Sequence, residues 1–167
     1  DPVREFYRPC LERAALYNRA VGYFRSTVYL VVGAPTVELA RRGGKIRLIC
    51  SPALAAHDVE SINAAYAERS QLLDQTMIEE IDALLANPAT ACRTQVLATL
   101  VKAGAMDVRL ALRPAGFGLY HEKIGLFRDE FGHRISFIGS ANETWSGWHH
   151  RGNFESIEVF CDWQEGR

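Results

Sequence analysis

The feature that most constrains the fold of this chain is a series of short strand-like segments that alternate with helical patterns. Helical spacing of apolar residues covers 3–20, 58–86 and 93–103, and the aromatic and β-branched stretch at 20–32 predicts a strand leading into a helix towards Arg41. Five further segments have the composition or alternation of strands: KIRLICSP (45–52), MDVRLALRP (106–114), YHEKIGLFR (120–128), HRISFIGS (133–140) and FESIEVFCDW (154–163). Strands interleaved with helices in this mixed order predict an α/β fold.

Turn and cap residues mark several of the boundaries. Gly43 and Gly44 precede the first of the five segments, and DEFG (129–132) predicts a hairpin turn between the third and the fourth. Asp58 is the expected N-cap of the long helix, which Asn87-Pro88 ends. At 167 residues the chain is long enough to bury a sizeable core, so we expect one domain spanning residues 1–167.

Charge and composition limit the class of protein. The net charge of −1 gives no overall attraction to nucleic acid or acidic membranes, so any anion binding has to be local. The longest apolar run, TVYLVVGAP (27–35), is too short to span a bilayer, and DPVREFYRPC (1–10) lacks the features of a secretory signal. We therefore expect a cytoplasmic protein without membrane attachment. A start at Asp1-Pro2 without a methionine also predicts a piece excised from a longer protein.

The cysteines give no sign of a metal centre. Four cysteines are scattered along the chain with no CxxC pair, at positions 10, 50, 92 and 161. A structural zinc site needs clustered ligands, and a reducing cytoplasm keeps thiols free. We expect free cysteines, no bound metal and no cofactor.

A histidine and a lysine two residues apart in a strand-like segment indicate an anion site. Side chains at positions i and i+2 of a strand share a face, so His121 and Lys123 point the same way and Glu122 points to the other side. An imidazole beside an ammonium is a poor core pair, because burying unpaired charge is costly. As a pair facing a phosphate, the lysine supplies a point charge, and the histidine can act as base, acid or nucleophile.

Polar groups near the following strands complete the constellation. Gly139 permits close backbone approach, and Ser140 and Asn142 offer a hydroxyl and an amide to phosphate oxygens. Glu155, on the next predicted strand, can accept a hydrogen bond from the histidine and stabilise the imidazolium. Together these groups suit phosphoryl transfer without a metal cluster.

The order HEK, GSANET, NFE resembles the HxK, GSxN, NxE signature of the phospholipase D superfamily. More closely, it is similar to the phospholipase D-like nuclease domains of bacterial DNA-processing and defence proteins, which are often joined to a superfamily 2 helicase. The motifs lie within residues 120–160, and GYFRS and KIRLICSP upstream are similar but less specific. The resemblance implies a half-unit of that fold, an α-β-α sandwich in which helices flank a mixed sheet on both faces.

The resemblance also implies a role for each matching residue. His121 matches the nucleophile that attacks phosphorus and forms a phosphohistidine, while Lys123 and Asn142 match the groups that hold the phosphate oxygens. Ser140 matches the small hydroxyl residue beside them, and Glu155 matches the acid that orients the histidine. The family pattern places an aspartate at position 128, where this chain has Arg128, and the acid follows as Asp129. The role of Asp129 is left open.

A single HxK motif has a consequence for assembly. The family chemistry uses two histidines, one that attacks and one that protonates the leaving oxygen and then activates water. None of the four other histidines has a lysine two residues on. The resemblance therefore implies a homodimer whose active site lies at the two-fold axis.

Three further residues are candidates for binding substrate. Asn153 either supports the site or caps a turn, and His149 and Arg151 form either a phosphate-binding edge or a solvated loop. Trp145 and Trp148 either stack on exposed bases or pack under a loop.

The sequence favours a metal-independent nuclease that hydrolyses DNA phosphodiester bonds through a phosphohistidine. The alternatives are a DNA-binding or assembly module of a helicase or restriction-type complex with little catalysis, and a phosphodiesterase for lipids or small phosphodiesters. The expected partners are DNA, a second copy of the chain and a fused or associated helicase. The sequence leaves open DNA or RNA, strand and sequence preference, and whether the domain alone turns over.

Overall fold

The structure, a computed structural model, describes residues 1–51, 53–67, 93–111 and 120–163. In chain order its elements are a π-helical turn at Val3–Tyr7, α1 (Arg8–Arg13), β1 (Leu16–Val21), a 3-10 turn at Ser26–Val28, α2 (Tyr29–Arg41), β2 (Lys45–Cys50), α3 (Ala56–Ala67), α4 (Arg93–Lys102), β3 (Met106–Leu110), β4 (Lys123–Arg128), β5 (Arg134–Gly139), α5 (Trp145–Trp148) and β6 (Ile157–Cys161).

The six strands form one mixed sheet in the order β3-β2-β1-β4-β5-β6. The strands β1, β2 and β3 run parallel, whereas β1 pairs antiparallel with β4, β4 with β5, and β5 with β6. The connection between β4 and β5 is a hairpin at the predicted DEFG turn. The prediction of an α/β fold with a mixed sheet is confirmed.

The core lies on one face of this sheet. In β1 the buried positions are Tyr17, Arg19 and Val21, and β2 alternates in the same way between exposed and buried residues. Aromatic rings from the first helical turns pack on this face, with Phe6 against Phe137 at 5.2 Å between ring centroids. The buried residues form one contiguous apolar cluster.

The opposite face of the sheet is exposed at Ile49, Ile124 and Ile138. The sandwich expected from the family resemblance places helices on this face as well. Among the described helices, the first helical turns, α2, α4 and α5 contribute to the core on the buried face.

Several predicted boundaries need correction. The predicted helix over 3–20 ends at Arg13, and its last residues form β1, which the adjacent β2 and β4 hold by backbone pairing. The stretch at 20–32 contains only the last two residues of β1, followed by a connection with a 3-10 turn at Ser26–Val28. The predicted helix towards Arg41 is confirmed as α2, which begins at Tyr29. Asp58 lies inside α3, where its carboxylate accepts a hydrogen bond from Ser26 N. The remainder of the predicted helix over 58–86, from residue 68 onwards, and its predicted end at Asn87-Pro88 lie outside the described residues.

Candidate active site

The predicted site residues meet at one edge of the sheet. β1 ends there at Val21, β4 begins at Lys123, β5 ends at Gly139 and β6 begins at Ile157. Because these strands are neighbours, the loops that carry the HxK, GSxN and NxE motifs converge at this edge. The edge also lies at the carboxyl ends of the parallel strands, where open α/β sheets commonly bind ligands.

The histidine and the lysine of the HxK motif are in direct contact. Lys123 Nζ lies 3.2 Å from both ring nitrogens of His121 and donates to the His121 carbonyl oxygen at 3.1 Å. His121 is exposed and lies just before β4 begins, not within the strand. The expectation that both side chains face the same way therefore holds, although His121 belongs to the loop.

Asn142 is held beside this pair through the backbone of Tyr23. Its Oδ1 accepts a hydrogen bond from Tyr23 N at 3.0 Å, and the Tyr23 ring meets the His121 ring edge-on at 5.9 Å between centroids. With its oxygen occupied in this way, Asn142 has its Nδ2 group left to donate. An amide donor next to an ammonium suits the non-bridging oxygens of a phosphate.

Ser140, Glu155 and Asn153 form a second cluster at the same edge. The Ser140 hydroxyl donates to Glu155 Oε2, and Asn153 Nδ2 donates to the other carboxylate oxygen at 3.1 Å. Ser140 Oγ also accepts from Ser156 N at 3.0 Å. Asn153 thus supports the acid, and Ser140 positions it. Within this chain the Glu155 carboxylate binds these two groups and not His121, which differs from the expected orienting contact.

Glycine permits the close approach that places Ser140 against the next loop. A Cβ atom on Gly139 would lie 2.1 Å from the Ser156 carbonyl oxygen. A backbone oxygen at that distance leaves no room for a side chain, so the strands β5 and β6 approach here only because position 139 is glycine. The prediction of a close approach at Gly139 is confirmed.

The environment of Lys123 shifts its pKa. Partial burial lowers the pKa of Lys123 below the ordinary lysine value, the Glu155 charge raises it, and the charge of Arg19 lowers it. Glu155 and Arg19 are therefore both close enough to the ammonium to affect its charge. The two clusters therefore influence each other electrostatically.

A buried polar network supports the loop that carries Asn142. Arg19 Nε donates to Glu143 Oε2 at 2.8 Å, and Arg19 Nη2 donates to the Ala141 carbonyl oxygen at 2.6 Å. The Tyr7 hydroxyl donates to Glu143 Oε1 and lies 3.0 Å from the Tyr17 hydroxyl. Burial, with the Glu143 charge, raises the pKa values of both tyrosines well above their ordinary value, so both remain neutral.

His149 and Arg151 lie in the turn after α5. The His149 ring stacks on Trp145 at 4.3 Å between centroids, and its Nδ1 accepts from Arg151 N at 3.1 Å. His149 also lines a cleft of about 300 Å³ with His150 and residues of the first helical turns, among them Arg4 and Arg8. The structure gives His149 and Arg151 no bond to His121 within the described residues, and their role in binding substrate stays a prediction.

The two tryptophans of this region differ in their surroundings. Trp148 is buried and stacks on Tyr7 at 4.1 Å between centroids. Of the two alternatives for this residue, the structure therefore favours packing under the loop. Trp145 is partly exposed and stacks on His149.

The shifted aspartate Asp129 has a local role in the hairpin. Its Oδ1 accepts from Phe131 N and His133 N, both at 2.9 Å, and its Oδ2 lies 2.9 Å from His133 Nδ1. These bonds close the turn between β4 and β5, at the opposite end of β4 from His121. Asp129 is therefore a turn residue in this chain.

Sequence reasoning missed Arg19, Tyr23 and Glu143. Arg19 lay in a segment with helical spacing, and its inward direction follows from strand pairing that the sequence does not show. Glu143 directly follows Asn142, and GYFRS contains Tyr23, so both lay within quoted motifs. Neither motif indicated that Glu143 binds Arg19 or that the Tyr23 backbone binds the Asn142 side chain.

No group of histidine, cysteine or acidic side chains suited to a metal ion occurs within residues 1–51, 53–67, 93–111 and 120–163. In the same residues there is no helix of sufficient length and apolarity to cross a membrane. Cys10, Cys50 and Cys161 carry free thiols.

Comparison with known proteins places the chain in a family. Residues 19–164 match the family model described as "Cardiolipin synthase, PLD-like domain", where PLD stands for phospholipase D. The match spans most of the chain, so the chain belongs to the phospholipase D-like family.

Two similar solved structures are those of the yeast tyrosyl-DNA phosphodiesterase and of a mutant of that enzyme. They share 11% and 10% sequence identity with this chain, and both have a TM-score of 0.44. Each comparison covers 90% of this chain, which spans about a quarter of the other chain (26% and 25%). No curated protein matches the sequence.

Proposed function

We propose that the chain is a nuclease that hydrolyses DNA phosphodiester bonds through a phosphohistidine, without a metal ion. The observation that carries this proposal is the exposed His121–Lys123 pair beside the unpaired Nδ2 group of Asn142. A nucleophile, a cation and an amide donor at one open edge supply what displacement at phosphorus needs.

In the first step, His121 of one copy attacks phosphorus in line, and a P–N bond forms as the bond to the leaving oxygen breaks. Lys123 and Asn142 stabilise the charge on the non-bridging oxygens. His121 of the second copy donates its proton to the leaving oxygen. In the second step this histidine takes a proton from water, the hydroxide attacks phosphorus, and the P–N bond breaks. The attacking histidine returns to its starting state.

The homodimer in this proposal rests on the single HxK motif and on two exposed groups at the edge. His121 faces solvent, so a second copy can approach it. Phe154, next to Glu155, is fully exposed, which is unusual for a phenylalanine and typical of a residue that a partner or a ligand covers. We infer that this edge is the two-fold interface. The second copy then also meets the Glu155 carboxylate, which makes no contact with His121 of its own chain.

DNA is the substrate class we propose because, among the described residues, His121, Ser140 and Phe154 are all exposed at this edge. A polymer backbone can lie along such an edge, and the cleft that His149 lines carries two further cations, Arg4 and Arg8. The apolar cavity of about 350 Å³ lies instead at the other end of β4, against Phe127 and Ile135. A lipid chain there would be remote from His121, which makes a lipid phosphodiesterase the weaker alternative.

The remaining alternative is a DNA-binding module that assembles with a helicase and has little catalysis. An intact set of His121, Lys123 and Asn142 favours turnover over mere binding. A fused or associated helicase remains an expectation from the family resemblance.

The test is cleavage of single- and double-stranded DNA by the purified chain in EDTA. The His121→Ala variant should abolish cleavage and keep the unfolding temperature, because His121 is exposed and packs little. The His133→Ala variant is the matched control, since it removes an exposed histidine from the far end of β4 and should cut normally. Cleavage that needs added Mg²⁺, or that survives His121→Ala, would overturn the mechanism, and DNA binding without any cleavage would favour the binding module.

A further inference from the structure

Arg19 is a buried charged residue, and the stability of the core alone does not explain why it is there. Arg19 is 2% exposed on the face of β1 that otherwise carries Tyr17 and Val21, and its partner Glu143 is 5% exposed. A buried ion pair commonly contributes no more stability than well-packed apolar residues of the same volume. The Nη1 group of Arg19 is also buried without a hydrogen-bond partner. A costly pair of this kind suggests a function.

The contacts of the pair lie on either side of Asn142. Arg19 Nη2 donates to the carbonyl oxygen of Ala141 at 2.6 Å, and Arg19 Nε donates to Glu143 Oε2 at 2.8 Å. Trp148 Nε1 donates to the same Glu143 oxygen at 3.4 Å. One guanidinium therefore fixes the residue before Asn142 and the residue after it.

The backbone of Glu143 is also hydrogen-bonded to residues 23–25. Glu143 N donates to the Tyr23 carbonyl oxygen at 3.1 Å, and Arg25 N donates to the Glu143 carbonyl oxygen at 2.9 Å. Tyr23 N then holds Asn142 Oδ1. The Asn142 side chain has little freedom left, and Tyr23, whose N–H holds it, also contacts the His121 ring.

We propose that Arg19 and Glu143 are positioning residues that hold the amide of Asn142 against a phosphate oxygen of the substrate. The inference rests on the proposed phosphodiester hydrolysis, in which Asn142 stabilises charge at phosphorus. A contact of this kind loses much of its value when the donor moves by about 1 Å, because the charge develops only in the transition state. A planar guanidinium with two fixed donor directions suits this task better than a lysine.

The first variant is Arg19→Lys, which keeps the buried charge but cannot make both contacts. We expect kcat to fall about tenfold or more with a smaller change in KM, since the Asn142 contact strengthens in the transition state. Glu143→Gln keeps the shape of the side chain and removes the charge that holds Arg19. It should reduce kcat in the same way, and it replaces Arg19→Lys if that variant does not fold.

A double-mutant cycle with Asn142→Ala separates positioning from general destabilisation. If Arg19 acts through Asn142, Arg19→Lys should cost little further activity once Asn142 is alanine. Val101→Ala, a buried truncation in α4, is the stability control and should lower the unfolding temperature with kcat unchanged. Additive losses of kcat from Arg19→Lys and Asn142→Ala would overturn the inference.

Phosphate binding can be measured without turnover, so it tests the positioning role separately from the proposed function. Inorganic phosphate titrated into the folded variants by calorimetry reports the anion contact without any turnover. We expect Arg19→Lys and Asn142→Ala to weaken phosphate binding non-additively. If the wild type cleaves no DNA but this coupling is present, the proposed function fails and the positioning role stands. If phosphate binding is additive in the cycle, or is unchanged by Arg19→Lys, the positioning role fails whatever the activity.

Discussion

Lys123 is the residue whose charge state most directly reports the geometry of the site. Its ammonium contacts His121, and its pKa is influenced by the adjacent Glu122 and by Glu155 and Arg19 from two other segments of the chain. Each charge influences the pKa in a definite direction, so each influence can be tested by removing one charge at a time.

We predict that Lys123 titrates below an ordinary lysine, because partial burial disfavours its charged form. Glu155→Gln should lower the pKa of Lys123 further, since the Glu155 carboxylate stabilises the ammonium. Glu122→Gln removes a weaker influence of the same sign and should lower it less. NMR of labelled lysine side chains measures the pKa of Lys123 in the wild type, in Glu155→Gln and in Glu122→Gln. A Lys123 pKa that rises in Glu155→Gln would contradict the placement of that carboxylate.

Two glycines at the site should respond to alanine in different ways. A Cβ atom on Gly22 would lie 2.8 Å from Cδ2 of His121, the end of a side chain that can move, whereas a Cβ atom on Gly139 would meet the Ser156 backbone oxygen at 2.1 Å. We therefore expect Gly22→Ala to lower activity with little loss of stability. We expect Gly139→Ala to lower the unfolding temperature, because two backbones have to separate.

Thermal unfolding and DNA cleavage measured side by side on the two alanine variants test this contrast. Equal losses of stability in both would show that the His121 ring is as firmly fixed as the backbone at Ser156.

At the scale of elements, the β4–β5 hairpin carries a pH-dependent pair. The hydrogen bond between the side chains raises the pKa of His133 and lowers the pKa of Asp129. The histidine contribution is full below its ordinary pKa of 6.5 and is lost as pH rises through the raised folded value. The aspartate contribution is full above its ordinary pKa of 3.8 and is lost as pH falls through the depressed folded value.

We predict that NMR titration places the pKa of His133 above 6.5 and that Asp129→Asn returns it towards that value. Glu130→Gln removes a charge from the neighbouring position without breaking the bond, so it should leave the His133 titration unchanged. A small loss of hairpin stability should follow as pH rises through the His133 pKa. An unshifted His133 in the wild type would show that the turn closes without this pair.

The elements also show why the sequence predicted some strands and missed another. The strands β2, β4 and β5 alternate or carry β-branched and aromatic residues between clear turns, so local pattern sufficed. In β1, LYNRAV follows an alanine-rich helical stretch, and an arginine occupies an inward position. Arg19 faces the core because Glu143, 124 residues away, neutralises it. No local pattern contains that information.

The same reasoning applies to the site. His121, Lys123 and Asn142 were predictable because unpaired polar side chains of this kind are costly in a core. Each also belongs to a short motif that can be read directly from the sequence. The contact of Glu155 with Ser140 and Asn153, rather than with His121, depends on how two loops meet at the ends of β5 and β6. Such a meeting is decided by the register of the strands and by Gly139, and the sequence alone does not give the register.

At the scale of the whole molecule, a nearly neutral chain with net charge −1 is proposed to bind a polyanion. Binding must then depend on local cations, with Lys123 at the edge and Arg4 and Arg8 in the cleft that His149 lines. We predict that affinity for DNA falls steeply with salt, with a slope set by the number of phosphates contacted, about 0.7 to 0.9 counterions for each phosphate. Fluorescence anisotropy over a salt series measures this slope, and a flat series would contradict a phosphate-tracking edge.

The central claim is that His121 is the nucleophile, and the stereochemistry at phosphorus tests this claim most directly. The substrate is a DNA phosphodiester made chiral at phosphorus with sulfur and oxygen isotopes, cleaved by the purified chain in EDTA. Attack by His121 and then by water comprises two in-line displacements, so the account predicts that the product retains its configuration. Inversion would show a single attack by water, with His121 acting only as a base, and would contradict the phosphohistidine.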